Sequence, residues 1–294
     1  MSTESIDPDL KEIDRWPLER AIAAILAGQG RAVAAVAQVS PQIADAANAA
    51  AGRLGSSGRI AYAGAGTSGR IGVQDGVELT PTFGWPEDRL AFFLAGGPDA
   101  MMRAVEGAED DEHAGRMAVS DAGLGRADVL IALAASGRTP FTIGAVREAR
   151  ERGALAIAFA NNPDSPLMAA AGEHGILLAT GPEAIAGSTR LGAGTAQKAA
   201  LNALSTAIML KLGLVYRGLM VNMRISNAKL EGRAIAMIES VAGADADRAK
   251  DALAMAEGDI RTAVLIALGL DRAAARQALS TGEPFEALVE RLRA

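Results

Sequence analysis

Cysteine is absent from the 294-residue chain, histidine occurs only twice, and aromatic residues are scarce. The lack of cysteine excludes disulfides, thiol nucleophiles and thiolate metal sites. His113 and His174 have no metal-ligating partner three or four residues further along, so we expect no metal site. With 3% aromatic residues, the core must consist of Ala, Leu, Ile and Val, which suits helices packed closely on a sheet.

The chain also lacks clustered basic residues and a secretory signal. Its net charge is −6, and a general nucleic-acid binder needs clustered Lys and Arg for counterion release. The acidic N-terminus, residues 1–7, does not have the basic-then-apolar order of a signal peptide, and we find no apolar run of membrane-spanning length. We therefore expect a cytoplasmic protein with neither nucleic acid nor membrane as a partner.

Short apolar runs alternate with helical stretches through the middle of the chain, which is typical of a parallel sheet covered by helices on both faces. Strands are predicted at residues 59–65, 89–95, 128–135, 154–160 and 175–180. Helices are predicted between them at 68–79, 98–120, 140–152 and 165–171, and a long helix is predicted after the last strand at 195–212. The sequence thus predicts an α/β fold with five parallel strands.

The segments on either side of this region contain no predicted strand. The first 14 residues are polar and are expected to be extended or disordered until they dock, and two helices follow, from Pro17 to about Val39 and over residues 41–54. After about Met223 the chain consists of helices that break at Gly243, Gly258, Gly269 and Gly282. We therefore predict an N-terminal helical segment (1–54), an α/β domain (55–215) and a helical C-terminal subdomain (216–294).

The first predicted strand leads into the glycine-rich stretch GAGTSGRIG, residues 64–72. Backbone N–H groups at such a strand-to-helix turn favour an anion. A dinucleotide-binding loop would need an acid after the second strand, but that strand ends in Leu94-Ala95-Gly96-Gly97, and Glu87 and Asp88 precede it. A small phosphorylated molecule therefore fits better than a dinucleotide, and a tight turn without a ligand remains an alternative.

Two further segments carry small and hydroxylated residues directly after predicted strands. The first is Ala134-Ala135-Ser136-Gly137-Arg138-Thr139, and the second, residues 181–198, contains several hydroxyls together with Arg190 and Lys198. Loops at the carboxyl ends of neighbouring parallel strands can face one crevice. The predicted phosphate- and sugar-binding residues are Gly66, Thr67, Ser68, Ser136, Gly137, Thr139, Ser188, Arg190 and Lys198. A solvated surface position for Lys198 remains an alternative.

Five segments in chain order resemble the N-acetylmuramic acid 6-phosphate etherases, a family of sugar isomerase (SIS) domain proteins. They are GAGTSGRIGVQDGVELTPTFG (64–84), AVEGAEDDEHAG (104–115), ASGRTPFTIGA (135–145), GSTRLGAGTAQKAALNALST (187–206) and LMVNMRISNAKLEGRA (219–234). The resemblance implies a flavodoxin-like three-layer sandwich, a homodimer, and cleavage of the lactyl ether of the sugar phosphate to N-acetylglucosamine 6-phosphate and D-lactate. It implies no metal, flavin or nicotinamide cofactor.

The resemblance also implies two catalytic acids, Glu78 and Glu109, and a phosphate held by Ser136 and Thr139 with Ser68 close by. This sequence departs from the family pattern at two places: Ala134 and Ala135 replace hydroxyl or amide residues, and Gly76-Val77 replaces Ala-Ser before the first acid. Without the resemblance, Glu109 would be interpreted as part of a solvated acidic run. Glu78 lies ten residues after Ser68, or about 15 Å along a helix, so we hypothesise that it meets the far end of an extended sugar, or that Glu109 comes from a second subunit.

Two other functions remain open at this point. An aldose–ketose isomerase would use the same proton abstraction without a leaving group. A non-catalytic sugar-phosphate sensor, similar to the glucokinase regulatory protein, would not need two poised acids. A transcription regulator would need a basic DNA-binding segment, which the N-terminal helices do not offer.

Overall fold

The computed structural model describes residues 2–293 and contains one parallel sheet of five strands. The strands are β1 (Ile60–Gly64), β2 (Leu90–Leu94), β3 (Val129–Ala134), β4 (Leu155–Ala160) and β5 (Gly175–Leu177). Their spatial order is β2-β1-β3-β4-β5, and every neighbouring pair is parallel. The five predicted strands are all present, so the predicted fold class is confirmed.

Twelve α-helices are present among the described residues. They are α1 (Leu18–Gln38), α2 (Ser40–Leu54), α3 (Gly66–Phe83), α4 (Glu112–Asp121), α5 (Pro140–Glu151), α6 (Pro166–Ala171), α7 (Gly192–Lys211), α8 (Ala228–Ala242), α9 (Ala246–Met255), α10 (Ile260–Ala267), α11 (Arg272–Ser280) and α12 (Phe285–Arg293). The helices that alternate with strands cover the sheet, so its central strands are buried on both sides and consist of continuous apolar runs.

Alanine-rich packing brings α4 and α5 close to the sheet and to each other. Alanines of β1, β3 and β4 share a buried cluster with Val146 and Ala149 of α5. A Cβ on Gly115 would lie 1.9 Å from the Phe141 carbonyl oxygen, and one on Gly144 would lie 2.2 Å from a carbonyl oxygen of α4. Only glycine fits at these two positions, because a backbone that close cannot give way to a side chain.

The helix predicted over residues 98–120 is wrong. The segment instead forms 3-10 turns at Pro98–Met101 and Ala108–Asp110, and only α4 is an α-helix. Gly107 adopts the left-handed conformation, with φ 72°, and the side chain of Asp111 accepts a hydrogen bond from the Ala114 N–H and so starts a new helix. Local turn chemistry therefore overrides the helical periodicity here.

The N-terminal segment is docked rather than disordered. It contains 3-10 turns at Pro8–Leu10 and Ile13–Arg15, and Thr3 is fully buried. The Thr3 N–H donates to Asn162 Oδ1 at 2.8 Å, the Asn162 amide donates back to Thr3 Oγ1 at 3.0 Å, and the Gly187 N–H donates to the Thr3 carbonyl at 3.0 Å. The first residues thus contact the loops that follow β4 and β5.

Helix α1 also departs from expectation. Among residues 2–293 it is the one helix long and apolar enough to cross a membrane by length and composition, whereas the sequence analysis found no such run. Four apolar side chains on it are exposed: Leu18, Ile22, Leu26 and Val33. Length and composition alone are weak evidence for a membrane span, since the core helix of a soluble protein and a signal sequence near the N-terminus pass the same test.

The chain packs as two compact units. The first comprises the residues up to Gly76 together with Asp88–Ile208, and the second comprises Val77–Glu87 and the residues from Met209 onward. The second unit is built around a core of small and branched side chains from α8, α9, α10 and α12. Its helices begin at the side-chain caps Asn227, Asp245, Asp259 and Asp271 and are separated at the predicted glycines, all of which have positive φ.

Candidate functional site

The glycine-rich loop after β1 turns tightly into α3 because two of its glycines permit close packing. A Cβ on Gly64 would lie 2.8 Å from the Cα of Gly69, and one on Gly69 would lie 2.3 Å from Leu94 Cδ1. Gly66 has a different role, since it is exposed, has φ +52° and has no neighbouring atom where a Cβ would stand. The loop thus leaves open space beside Gly66 at the N-terminus of α3, where free N–H groups and the helix dipole favour an anion.

This open space belongs to a cavity of about 260 Å³. Gly66 and Arg70 of α3 lie on one wall, and Val105, Glu106 and Glu109 lie on another. The predicted catalytic Glu109 is therefore in the same cavity as the first glycine loop of its own chain. Glu106 was not predicted as a site residue from the sequence, although it lies in the same acidic run.

Arg70 holds the acidic wall in place. Its Nε donates to the Ala100 carbonyl at 2.8 Å, and its Nη2 donates to the Arg103 carbonyl at 3.1 Å. Val105 packs against Gly96 at the end of β2, where a Cβ would come within 2.7 Å of the valine. These contacts fix the segment 100–107 against the carboxyl ends of β1 and β2, and they leave no room for a side chain at Gly96.

The second loop lies beside the first, because β1 and β3 are neighbours in the sheet and Gly64 is paired with Leu133. Gly137 has φ +67° and packs against Ser165, and its carbonyl accepts the Leu167 N–H at 3.0 Å. Ser136 Oγ accepts the Arg138 N–H at 3.1 Å, and Thr139 is the N-cap of α5 but makes no side-chain capping hydrogen bond. Both hydroxyls are partly exposed at the point where the strand order reverses, which is where open α/β sheets bind ligands.

The third predicted segment approaches the first loop. At Gly194 a Cβ would lie 3.5 Å from Thr67 Cγ2, so the start of α7 contacts the start of α3. Ser68 is buried, while Thr67 and Ser188 are partly exposed and Arg190 is exposed. Backbone hydrogen bonds close the turn around Ser188. The Leu191 N–H donates to the Ser188 carbonyl at 3.1 Å, and the Ser188 N–H donates to the Ile185 carbonyl at 2.9 Å.

The N-terminus of α7 is occupied by a side chain of the protein itself. The buried carboxylate of Glu183 accepts the Gly192 N–H at 2.7 Å and the Ala193 N–H at 2.8 Å. The first free amides of this helix are therefore satisfied within the chain, and a ligand at the third segment must be held by its side chains and its turn. This cap could not be predicted from the sequence, because Glu183 stands nine and ten residues before the amides that it binds.

Lys198 lies close enough to the buried Asp75 to influence its titration. Asp75 accepts hydrogen bonds from Tyr62 Oη at 2.9 Å, Asn202 Nδ2 at 2.9 Å and Ser205 Oγ at 3.2 Å. Burial raises the pKa of Asp75 above its ordinary value, while these donors and the Lys198 charge oppose that rise. This group links β1, α3 and α7, and it could not be predicted from the sequence, because Asp75 and its partner Ser205 are 130 residues apart.

Glu78, the other predicted catalytic acid, is exposed on α3 and is not among the residues that line the cavity. It stands twelve residues after Gly66, which corresponds to about 18 Å along the helix axis. Among the described residues, no group of three His, Asp or Glu side chains could hold a metal ion. Of the predicted site residues, Gly66 and Glu109 line the cavity, together with Arg70 and Glu106, which were not predicted; Glu78 and the other predicted residues are not among those that line it.

Comparison with known proteins gives matches over nearly the whole chain. The glucokinase regulatory protein N-terminal SIS domain model matches residues 38–150, and the SIS domain model matches residues 104–207. A phosphoheptose isomerase structure from Francisella tularensis shares the fold, with a TM-score of 0.50 and 20% identity, covering 67% of this chain and 98% of that one.

Three curated relatives are much more similar in sequence, and each is an N-acetylmuramic acid 6-phosphate etherase. The relative from Deinococcus radiodurans is 51% identical over 94% of this chain and 91% of its own length. The relative from Streptomyces avermitilis is 46% identical over 92% and 86%, and that from Salmonella choleraesuis is 43% identical over 96% and 95%. This chain therefore belongs to the N-acetylmuramic acid 6-phosphate etherase family.

Proposed function

We propose that this chain cleaves the lactyl ether of N-acetylmuramic acid 6-phosphate, giving N-acetylglucosamine 6-phosphate and D-lactate, and so acts as a carbon–oxygen lyase in the recycling of cell-wall sugars. The observation that carries the proposal is the cavity that unites the glycine loop at Gly66 with the carboxylate of Glu109. Family membership indicates the substrate, and the cavity contains an acid next to the loop that we propose binds the anion.

The phosphate is proposed to bind at the hydroxyls of the first two loops. Thr67 and Ser68 stand at the start of α3, and Ser136 and Thr139 stand on the adjacent loop before α5. Ala134 and Ala135, at the end of β3, are buried and carry no polar group that could bind the phosphate. Backbone N–H groups at the N-termini of α3 and α5 supply the remaining interactions.

The third segment and the acids are assigned to the sugar. The start of α7 contacts the first loop at Thr67. Ser188 and Arg190 precede this helix and Lys198 lies on it, and we assign their hydroxyl and cationic groups to the sugar. Gly66 and Gly137, with positive φ, allow the two backbones to approach the substrate. We propose that the carbon chain of the opened sugar extends from the phosphate toward Glu109.

The reaction needs only proton transfers. In the open-chain sugar the C1 aldehyde acidifies the C2 hydrogen, so a base removes that proton and the C3–O bond breaks, with its electrons leaving on the lactyl oxygen. An acid protonates that oxygen and releases D-lactate. Water then adds to C3 of the unsaturated aldehyde while a proton returns to C2, so atoms and charge balance without a redox step. We assign one of these transfers to Glu109. That Glu78 performs the other stays a prediction from the family resemblance.

The decisive experiment is incubation with N-acetylmuramic acid 6-phosphate followed by a D-lactate assay. We expect release of one lactate per sugar, with solvent deuterium at C2 and solvent oxygen at C3 of the product. Glu109→Gln should reduce kcat by about 10²–10⁴-fold, the usual contribution of a general acid or base. Asp110→Asn, which changes the exposed neighbouring acid outside the cavity, is the matched control and should keep its activity.

Two results would contradict the proposal. Conversion of the substrate to a ketose with the lactyl ether intact would identify an aldose–ketose isomerase. Tight binding of the sugar phosphate without any turnover would identify a sensor. Full activity of Glu78→Gln would remove that residue from the mechanism while leaving the assignment of Glu109 intact.

A homodimer and a cytoplasmic location complete the proposal. The exposed apolar side chains Leu18, Ile22 and Leu26 recur at intervals of four residues on α1, and such a stripe favours coverage by another protein surface. A phosphorylated sugar substrate fits the cytoplasm, since phosphorylation retains sugars inside the cell. Sedimentation velocity of the purified protein tests the dimer, and replacement of Ile22 and Leu26 by Lys should dissociate it.

A further inference from the structure

The second unit contains a cavity of about 470 Å³ that the etherase chemistry does not use. Aliphatic side chains and Phe285 form its apolar wall, and three cations, Lys211, Arg217 and Arg261, also line it. Small-molecule sites have volumes of about 300–1,000 Å³ and combine an apolar lining with a few polar groups. The size and lining of this cavity therefore suit a small organic ligand.

Arg261 is partly buried and has no carboxylate partner. Its Nε has no exposed surface and no hydrogen-bond acceptor, and no acidic oxygen of residues 2–293 forms an ion pair with its guanidinium. Burial lowers the pKa of Arg261, and only the nearby charge of Asp259 opposes that shift. An arginine keeps its proton in proteins, so this partly buried positive charge has no ion-pair partner among residues 2–293, and Asp259 acts on it only from a distance.

Aromatic rings hold the guanidinium in position without neutralising it. The Arg261 guanidinium lies 5.2 Å from the centroid of the Phe285 ring, and Phe285 meets the Tyr216 ring edge-on at 5.5 Å. The Arg217 guanidinium lies 5.3 Å from the Tyr216 ring. A cation–π contact offsets only part of the penalty for burying a charge without an ion-pair partner. The Tyr216 hydroxyl is also buried and has no hydrogen-bond partner among the described residues.

The acids of the cavity do not restore the balance. Glu283 is already paired with Arg291 at 3.0 Å, and Glu286 is exposed and forms no ion pair among the described residues. Glu257, which lies on the neighbouring turn, is engaged by Arg272 and Arg276. Of the two acids that line the cavity, only the exposed Glu286 is therefore left without an ion pair among the described residues.

We propose that this cavity binds a small organic anion, a carboxylate or phosphate attached to an apolar body, with Arg261 as its anion-binding group. The anion supplies the counter-charge that the chain does not provide, and the apolar body contacts Phe285 and the aliphatic wall. The proposal is independent of the etherase reaction, since the two cavities share no residue.

Benzoate and its uncharged counterpart benzamide test the proposal on the full-length protein. Titration followed by ligand-observed NMR should give a millimolar Kd for benzoate with the wild type, and binding at least tenfold weaker with benzamide. Arg261→Gln should weaken benzoate at least tenfold, and Arg261→Lys, which keeps the charge but loses the planar fork, should weaken it severalfold. Arg276→Gln, on the exposed face of the next helix, is the matched control and should bind as the wild type does.

Several results would overturn the proposal. They are equal benzoate affinity in Arg261→Gln and the wild type, equal affinity for benzamide and benzoate, or no binding by the wild type. Dissociation of an oligomer by Arg261→Gln in sedimentation velocity would assign the counter-charge to a second copy instead. Removal of a charge that has no ion-pair partner should leave Tm unchanged or higher, so a Tm lowered by several degrees in Arg261→Gln would give the residue a packing role. If Arg261→Gln does not fold, the benzoate affinity of Arg261→Lys decides whether Arg261 binds the anion.

Discussion

The carboxylate of Glu183 should be worth several kcal/mol to the first unit. It is 3% exposed and accepts two short hydrogen bonds from the first amides of α7. In Glu183→Ala both buried N–H groups lose their acceptor, which costs about 1–3 kcal/mol for each. The helix also loses a negative charge at its N-terminus, which costs about 0.3–1 kcal/mol. We expect the free energy of unfolding to fall by about 3 kcal/mol or more.

Glu183→Gln separates the hydrogen bonds from the charge. The amide oxygen can still accept from one N–H, so we expect a loss of about 1–2 kcal/mol, between the wild type and the alanine variant. Urea unfolding gives these free energies, and amide hydrogen exchange assigns the loss to peptides from α7. In the etherase assay both variants should raise KM, because the turn at residues 187–191 leads into the helix that Glu183 closes.

Glu173→Ala is the matched control for this series. Glu173 is exposed in the same unit and makes no capping hydrogen bond in its 3-10 turn, so its removal should change the free energy of unfolding by less than about 0.5 kcal/mol. The reasoning is refuted if Glu183→Ala unfolds at the same urea concentration as Glu173→Ala. Unchanged exchange in α7 would refute it independently.

Three further predictions concern the same unit. Burial raises the pKa of Asp128, but hydrogen bonds from Arg59 and nearby amides outweigh burial and lower the pKa overall. The contribution of Asp128 to the free energy of unfolding should therefore be complete above the ordinary carboxyl range and disappear as pH falls through the lowered pKa. Acid titration of Asp128→Asn should lack this fall in stability. Gly144→Ala should lower the free energy of unfolding by about 3 kcal/mol, because the new Cβ meets a backbone oxygen, whereas Gly125→Ala, in open space, should change it little in the same urea experiment. The pKa of Asp75 is raised, so wild-type stability should decline relative to Asp75→Asn as pH rises through that pKa, which urea unfolding at several pH values measures.

The strands could be predicted because their cause is local. A strand that is buried on both faces must be apolar throughout, and Val129–Ala134 shows this directly in the sequence. The glycines at 64 and 69 were equally visible, and the structure shows that they permit close packing while Gly66 leaves open space. The tight turn is therefore present, and the anion site at Gly66 stays a prediction.

The connections between distant segments could not be predicted in this way. Thr3 is buried through contacts with Asn162 and Gly187, and Asp75 is satisfied by groups on α7, at sequence separations of 127–184 residues. No periodicity in either partner indicates such a pair. Arg70 is a further example, because it holds the cavity wall through two carbonyl groups that are 30 and 33 residues away in the sequence.

The acidic run from residue 106 to 112 shows how the fold separates residues that look equivalent in the sequence. Glu106 and Glu109 line the cavity, whereas Asp111 caps α4 and Glu112 pairs with Arg147 at 2.6 Å. The left-handed turn at residue 107 and the 3-10 turn after it create this division, because a continuous helix would place positions 109 and 112 on one face. Neutralising Asp111 should therefore reduce the stability of α4, while neutralising Glu109 should reduce turnover and leave the free energy of unfolding nearly unchanged.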